Sequence, residues 1–268
     1  MSITQFGQLP ALRLTCADGA SALITLFGAQ LVSWTTADGA EQLFCSARSA
    51  VDGSRAIRGG VPVIFPQFNE RGPILRHGFA RLSHWTLEQS GTDGERSFAV
   101  LTLTAAQLAP ERAAEWPHAF VLRLRVAVGG DSLALTLEVD NTGSTPFDFS
   151  AALHSYHRVD DVAAVRITGV QAQPLVIGAA LDAIYEGVGT LSMTDGGRTL
   201  HSTQSGFSDA VVWNPGAAGS AAAAAAADMA ADDYRHFVCI EPAVIAPLTL
   251  AAGSGWRGHN TLRVRPTK

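Results

Sequence analysis

Apolar and polar side chains alternate with a period of two over two adjacent segments. In 120–128, Phe120, Leu122, Leu124, Val126 and Val128 interleave with Val121, Arg123, Arg125 and Ala127. In 132–140, Leu133, Leu135, Leu137 and Val139 interleave with Ala134, Thr136, Glu138 and Asp140. This period sends successive side chains to opposite faces of a strand, so each segment buries one face and wets the other. Gly129, Gly130 and Asp131 supply the turn, and the two segments together predict a β-hairpin. Shorter runs of the same kind lie at 12–16, 22–26, 31–35, 84–88, 97–103 and 146–156. Others follow at 166–170, 174–178, 209–214, 236–242 and 262–266, separated by Gly, Pro and Asp-Gly signals.

Helical periodicity is scarce. In 105–116 Pro110 limits any helix to a turn or two on either side. The alanine-rich segment at about 216–233 has high helix propensity but no apolar face larger than methyl groups. It reads as an insertion on the surface with little reason to dock. Many short strands and almost no helix predict an all-β protein, antiparallel, built as a large sandwich or barrel. No break in composition divides it, so one domain over residues 1–268 is expected.

Composition narrows the class. Hydrophobic residues make up 47% and charged residues 16% of the 268, enough for a core and too apolar for disorder. A formal net charge of -5 with no extended basic stripe argues against a nucleic-acid binder. Cys16, Cys45 and Cys239 have neither disulfide-framework nor zinc-ligand spacing, and they suit a reducing cytoplasm. The N-terminal residues lack the basic and apolar regions of a secretory signal. No run of about 18 apolar residues predicts a membrane span.

Charge is nonetheless concentrated against the overall sign. From Arg48 to Arg81 there are six arginines and only two acids, Asp52 and Glu70. Arginine presents a planar fork that matches phosphate or carboxylate, so an anion pocket is expected here, against the alternative of a solvated loop. The stretch ends in His-Gly-Phe-Ala-Arg at 77–81, where Gly78 permits a close backbone approach. Of the eight histidines, His77 and His154 stand out, the latter on the polar parity of its strand. Glu241 lies on an apolar strand, where a carboxylate needs a partner or a purpose. A buried salt bridge for Glu241 and satisfied core histidines remain the structural alternatives. Asp209 either bonds a ligand hydroxyl or caps a turn. Metal-ligand spacing is absent, and no metal is expected.

Five segments in order then resemble a known family. They are RGGVPVIFPQF (58–68), HGFAR (77–81), LHSYHRV (153–159), DAVVWNP (209–215) and IEPA (240–243). They resemble the aldose 1-epimerases, and more closely the branch acting on hexose 6-phosphates. The chain departs from the family pattern at Gln67, at His157 and in the alanine-rich segment. The resemblance implies a galactose-mutarotase-like β-supersandwich without metal or organic cofactor, acting as a monomer on a small sugar phosphate. It also implies that His154 is the general acid at the ring oxygen and Glu241 the general base at O1. Arg58, Arg76 and Arg81 would bind phosphate, with His77 and Asp209 on the sugar. Two other readings are an epimerase for unphosphorylated aldoses and a non-catalytic carbohydrate-binding module.

Overall fold

The computed structural model describes residues 1–267. Its strands form three antiparallel sheets of four, six and nine strands. The hairpin expected from the alternation is present as Phe120–Gly129 and Ser132–Asn141, paired in one unbroken register from Phe120–Asn141 to Gly129–Ser132. Leu122, Leu124, Val126, Leu133, Leu135, Leu137 and Val139 are all buried. Burying each such side chain contributes roughly 1.5–3 kcal/mol, so a one-residue slip of either strand would forfeit several such terms at once. The hairpin lies within the nine-stranded sheet, and a single apolar core draws on residues from all three sheets.

The six-stranded sheet carries the chemistry. Its central strand, Phe237–Leu250, pairs with Asp209–Asn214 on one side and with Phe147–Leu153 and Tyr156–Arg158 on the other. Side-chain parity along the central strand is plain. Val238, Ile240 and Val244 enter the main core, whereas Phe237, Cys239 and Ala243 belong to smaller clusters on the opposite face. Glu241 shares the parity of this second face.

Pro110 opens the short helix Pro110–Glu115, where its missing N–H costs nothing. The alanine-rich segment differs from expectation. It forms the helix Gly216–Ala225, and Ser220 and Met229 are buried. Met229 packs with Phe44, Tyr156, Phe237 and Cys239. Docking thus comes from Ser220 within the helix and Met229 beyond it, with Ala223 alone of the methyl face packed beside them. Among the described residues, no helix is long and apolar enough to cross a membrane.

Candidate active site

A cavity of about 350 Å³ opens on this second face of the six-stranded sheet, lined by His77, His154, Glu241 and three arginines. The strand that carries His154 breaks after Leu153 and resumes at Tyr156. The register pairing Ala152 with Ala243 and Tyr156 with Cys239 continues through this break and sets His154 opposite Glu241. Their side chains meet, with His154 Nδ1 and Glu241 Oε1 3.3 Å apart. The imidazole stacks on the Tyr156 ring two residues later, at 5.0 Å and 12° between planes. Trp213 and His77 meet its edge at 5.8 and 5.7 Å.

Burial governs the titration of this pair. It drives the His154 pKa well below the ordinary imidazole value, and His77, Arg81 and Arg58 push the same way. Burial likewise drives the Glu241 pKa well above the ordinary carboxylate value, with Asp182 adding to it. Glu241 Oε2 is buried without a hydrogen-bond partner. His154 Nδ1 is buried without one too, so the two groups lie in ion-pair range without a hydrogen bond, and the low-dielectric setting favours the neutral carboxyl and neutral imidazole.

His77 reaches the cavity through an unusual backbone. Its φ is +66, in the left-handed region, and Gly78 follows at +67. A Cβ on Gly78 would collide with the carbonyl oxygen of Phe65 at 2.1 Å, so glycine is required there. Strain of this kind at a non-glycine residue persists where the surroundings hold it, and here two hydrogen bonds do. His77 N–H donates to the Asn69 carbonyl at 2.9 Å, and Asn69 N–H donates to His77 Nδ1 at 3.2 Å. Because Nδ1 accepts, the neutral ring carries its proton on Nε2. Burial and then Arg81, Arg76 and Arg58 hold its pKa down at about 3, so His77 is a neutral donor.

The three arginines expected at an anion site, Arg58, Arg76 and Arg81, all line the cavity. Arg81 Nη2 donates to the Arg76 carbonyl at 3.0 Å, while its Nε is buried without a partner. Burial draws its pKa down to about 10, which leaves it charged near neutrality. Arg58 is held by Asp228 and by the Tyr156 hydroxyl. Two other arginines of the stretch serve the alanine-rich segment instead. Arg55 donates to the Ala226 and Ala227 carbonyls and Arg48 to that of Met229.

Asp209 is not brought to the cavity. Its Oδ2 accepts from Ile245 N–H at 3.0 Å and from Ser208 Oγ at 3.0 Å. Ile245 falls where the ladder between Phe147–Leu153 and the central strand slips register, so Asp209 satisfies an N–H that the ladder leaves free. Asp182, Tyr156 and Trp213 line the cavity without having been singled out from the sequence. Tyr156 had a signal, because two residues along a strand from His154 places it on the same face. Asp182 had none. The ligand atoms of His154, Cys239 and Glu241 lie within 4.8 Å of one another. Burial raises the pKa of the Cys239 thiol and of the Glu241 carboxyl well above their ordinary values, and a metal there would have to ionise both.

A family model described as aldose 1-epimerase matches residues 10–182, well over half of the chain. The chain belongs to the aldose 1-epimerase family. A relative from Cenchrus ciliaris named for glucose-6-phosphate 1-epimerase is 33% identical over 91% of this chain and 81% of its own. One from Escherichia coli with the same name is 32% identical over 83% of this chain and 79% of its own. Among solved structures, a Salmonella typhimurium protein named as a mutarotase superposes with a TM-score of 0.89 at 26% identity, covering 99% of this chain and 94% of that one. A galactose 1-epimerase from Lactobacillus acidophilus, at 12% identity and a TM-score of 0.71, shares the fold, over 100% of this chain and 99% of its own. The architecture is thus the β-sandwich of the galactose mutarotases, and this aldose 1-epimerase is an isomerase of sugars. The family match ends at 182, so it takes in the arginines and both cavity histidines but not Glu241.

Proposed function

We propose that the chain is a hexose-6-phosphate mutarotase, interconverting the α and β anomers of glucose 6-phosphate and related hexose 6-phosphates. The observation that carries this reading is the pairing of His154 with Glu241 at 3.3 Å inside a cavity lined by three arginines. Anomer exchange opens the hemiacetal and closes it on the other face of C1. Opening requires a proton given to the ring oxygen and another taken from the anomeric hydroxyl. A pair with one proton that can sit on either group meets both demands. In the reactive form the proton is on His154, which donates it to the ring oxygen, while Glu241 takes the proton of O1. Closure on either face returns each proton, and the pair is ready again. Positioned transfers of this kind contribute about 10²–10⁴-fold.

His77 Nε2–H donates to a sugar oxygen, and Asp182 accepts from a hydroxyl. Arg58, Arg76 and Arg81 bind the phosphate, whose dianionic charge suits three guanidinium groups in a partly buried site. Proton transfer alone needs no metal or organic cofactor. The chain is read as a monomer, and the shared core of the three sheets supports one domain. Three unpaired cysteines support a cytoplasmic setting. Saturation transfer between the anomeric protons of glucose 6-phosphate tests the reading. Exchange above the spontaneous rate on adding the enzyme is expected, and an unaltered rate would overturn it.

A further inference from the structure

The alanine-rich segment does more than cover the surface. Seven consecutive alanines, 221–227, favour a helix but offer it only methyl groups with which to dock, of which that of Ala223 packs beside Met229. The helix is instead fixed by hydrogen bonds at its start, its middle and its end. Gly216 N–H donates to Asn214 Oδ1 at 2.9 Å, and Ser220 Oγ donates to the Ala230 carbonyl at 2.9 Å. Its C-terminus closes in a reversing cap: Asp228 N–H donates to the Ala223 carbonyl at 3.0 Å and Ala227 N–H to that of Ala224 at 3.0 Å. Ala227 takes the left-handed φ of +56 that such a cap demands. Arg55 grips the two carbonyls at this turn, and Met229 is buried immediately beyond it. Asp228 is therefore held on both sides.

Its carboxylate meets Arg58. Asp228 Oδ2 accepts from Arg58 Nε at 2.8 Å and lies 2.5 Å from Nη2. Nη1 donates to the Tyr156 hydroxyl at 3.2 Å. Three of the five guanidinium N–H bonds are thus committed, and the remaining two lie one on each Nη. Arg58 lines the cavity and Asp228 does not. The carboxylate grips the arginine from behind rather than occupying the anion's place. The Arg58 backbone is fixed as well, its N–H donating to Ser49 Oγ at 2.8 Å and its carbonyl accepting from Ser46 N–H at 2.9 Å.

We infer that Asp228, presented by the capped end of the alanine-rich helix, is the positioning residue for Arg58, holding its two free N–H bonds toward the substrate's anionic group. This inference rests on the phosphate reading of the cavity. A long arginine side chain free to rotate would have to be ordered by each arriving phosphate, whereas one already gripped at Nε and Nη2 meets it in place. The alanine-rich helix then sets affinity for the charged end of the substrate and leaves the proton transfers alone.

The test compares wild type with Asp228→Ala, Asp228→Asn and Asp228→Glu. It reads kcat and KM for anomer exchange of glucose 6-phosphate, the inhibition constant of inorganic phosphate, and exchange of free glucose. In Asp228→Ala, KM and the phosphate inhibition constant rise together by roughly tenfold, a misplacement effect, while kcat for glucose 6-phosphate and the rate on free glucose stay put. Asp228→Glu recovers part of the loss. If Asp228→Ala fails to fold by circular dichroism, Asp228→Asn carries the same expectation. An unchanged or lowered KM in a folded variant overturns the inference, the lowered value meaning that Asp228 competes with phosphate. A wild type that does not accelerate glucose 6-phosphate exchange overturns the phosphate reading itself, and the inference falls with it. Acceleration in wild type with unshifted variants overturns the inference alone.

Discussion

His154 and Glu241 occupy facing positions on neighbouring strands, with Nδ1 and Oε1 3.3 Å apart. A directly cross-strand pair brings Cβ atoms to within about 5 Å, so contact between the two groups follows from the register. The strand break after Leu153 leaves the ladder intact in phase while freeing the imidazole to face the cavity. The proposed acid and base thus lie directly across one strand pair, on a sheet whose other face is core.

Glu241→Gln keeps the shape of the side chain and removes its proton chemistry. Turnover of glucose 6-phosphate should fall by about 10²–10⁴-fold, as should that of His154→Ala. Glu241→Gln should also be at least as stable as wild type at neutral pH, because an amide has no charge to desolvate. The pH dependence fixes the sign. A carboxyl whose folded pKa is raised contributes stability below its unfolded value, about 4.3, and loses it as pH rises toward the folded value. The stability advantage of the variant should therefore grow from about pH 4.5 upward in thermal melts.

The same pair predicts an unusual pH–rate profile. Its one-proton state runs from a lowered His154 pKa to a raised Glu241 pKa. In kcat, which reports the enzyme–substrate complex, no titration should appear near pH 6.5, and the acid limb should lie below it. A limb centred on the ordinary imidazole value would mean that His154 titrates as a free histidine.

Asp209→Ala separates a structural carboxylate from a substrate ligand. It strips the acceptor from Ile245 N–H and should destabilise the fold by about 1–3 kcal/mol. KM for glucose 6-phosphate in the folded fraction should be unchanged, as steady-state kinetics below the melting transition would show.

Ala227→Gly addresses the helix cap. A left-handed φ costs an alanine about 1 kcal/mol that glycine avoids, so the variant should be more stable by about that much. Denaturant midpoints measure it.

Much of this was legible in the chain because local chemistry wrote it. The period-two alternation of 120–140 specified its hairpin and its buried face. Glu241 stood out because a charge on an apolar strand must be accounted for, and the arginines because they ran against the net charge. Other features depended on partners distant in sequence. Nothing near Asp209 shows that Ile245 has a free N–H, since the register slip belongs to another strand pair. Asp182 lies on Leu181–Glu186, a mostly half-buried strand without clean alternation, so its place opposite Trp213 could not be read locally. The alanine-rich segment misled for a related reason. Apart from the Ala223 methyl, its docking rests on Met229, Arg55 and Arg58, none of which belongs to the alanine run itself.

The central claim is that this cavity exchanges anomers of a sugar held by its phosphate. Comparing kcat/KM for glucose 6-phosphate and free glucose by anomeric exchange, at fixed ionic strength, tests it most directly. The three arginines predict a preference for the phosphate of at least about a hundredfold, since a hydrogen bond to a charged group contributes about 1.5–3 kcal/mol. Arg81→Ala should reduce that preference. Equal values for the two sugars would contradict the phosphate site while leaving the acid–base pair in place.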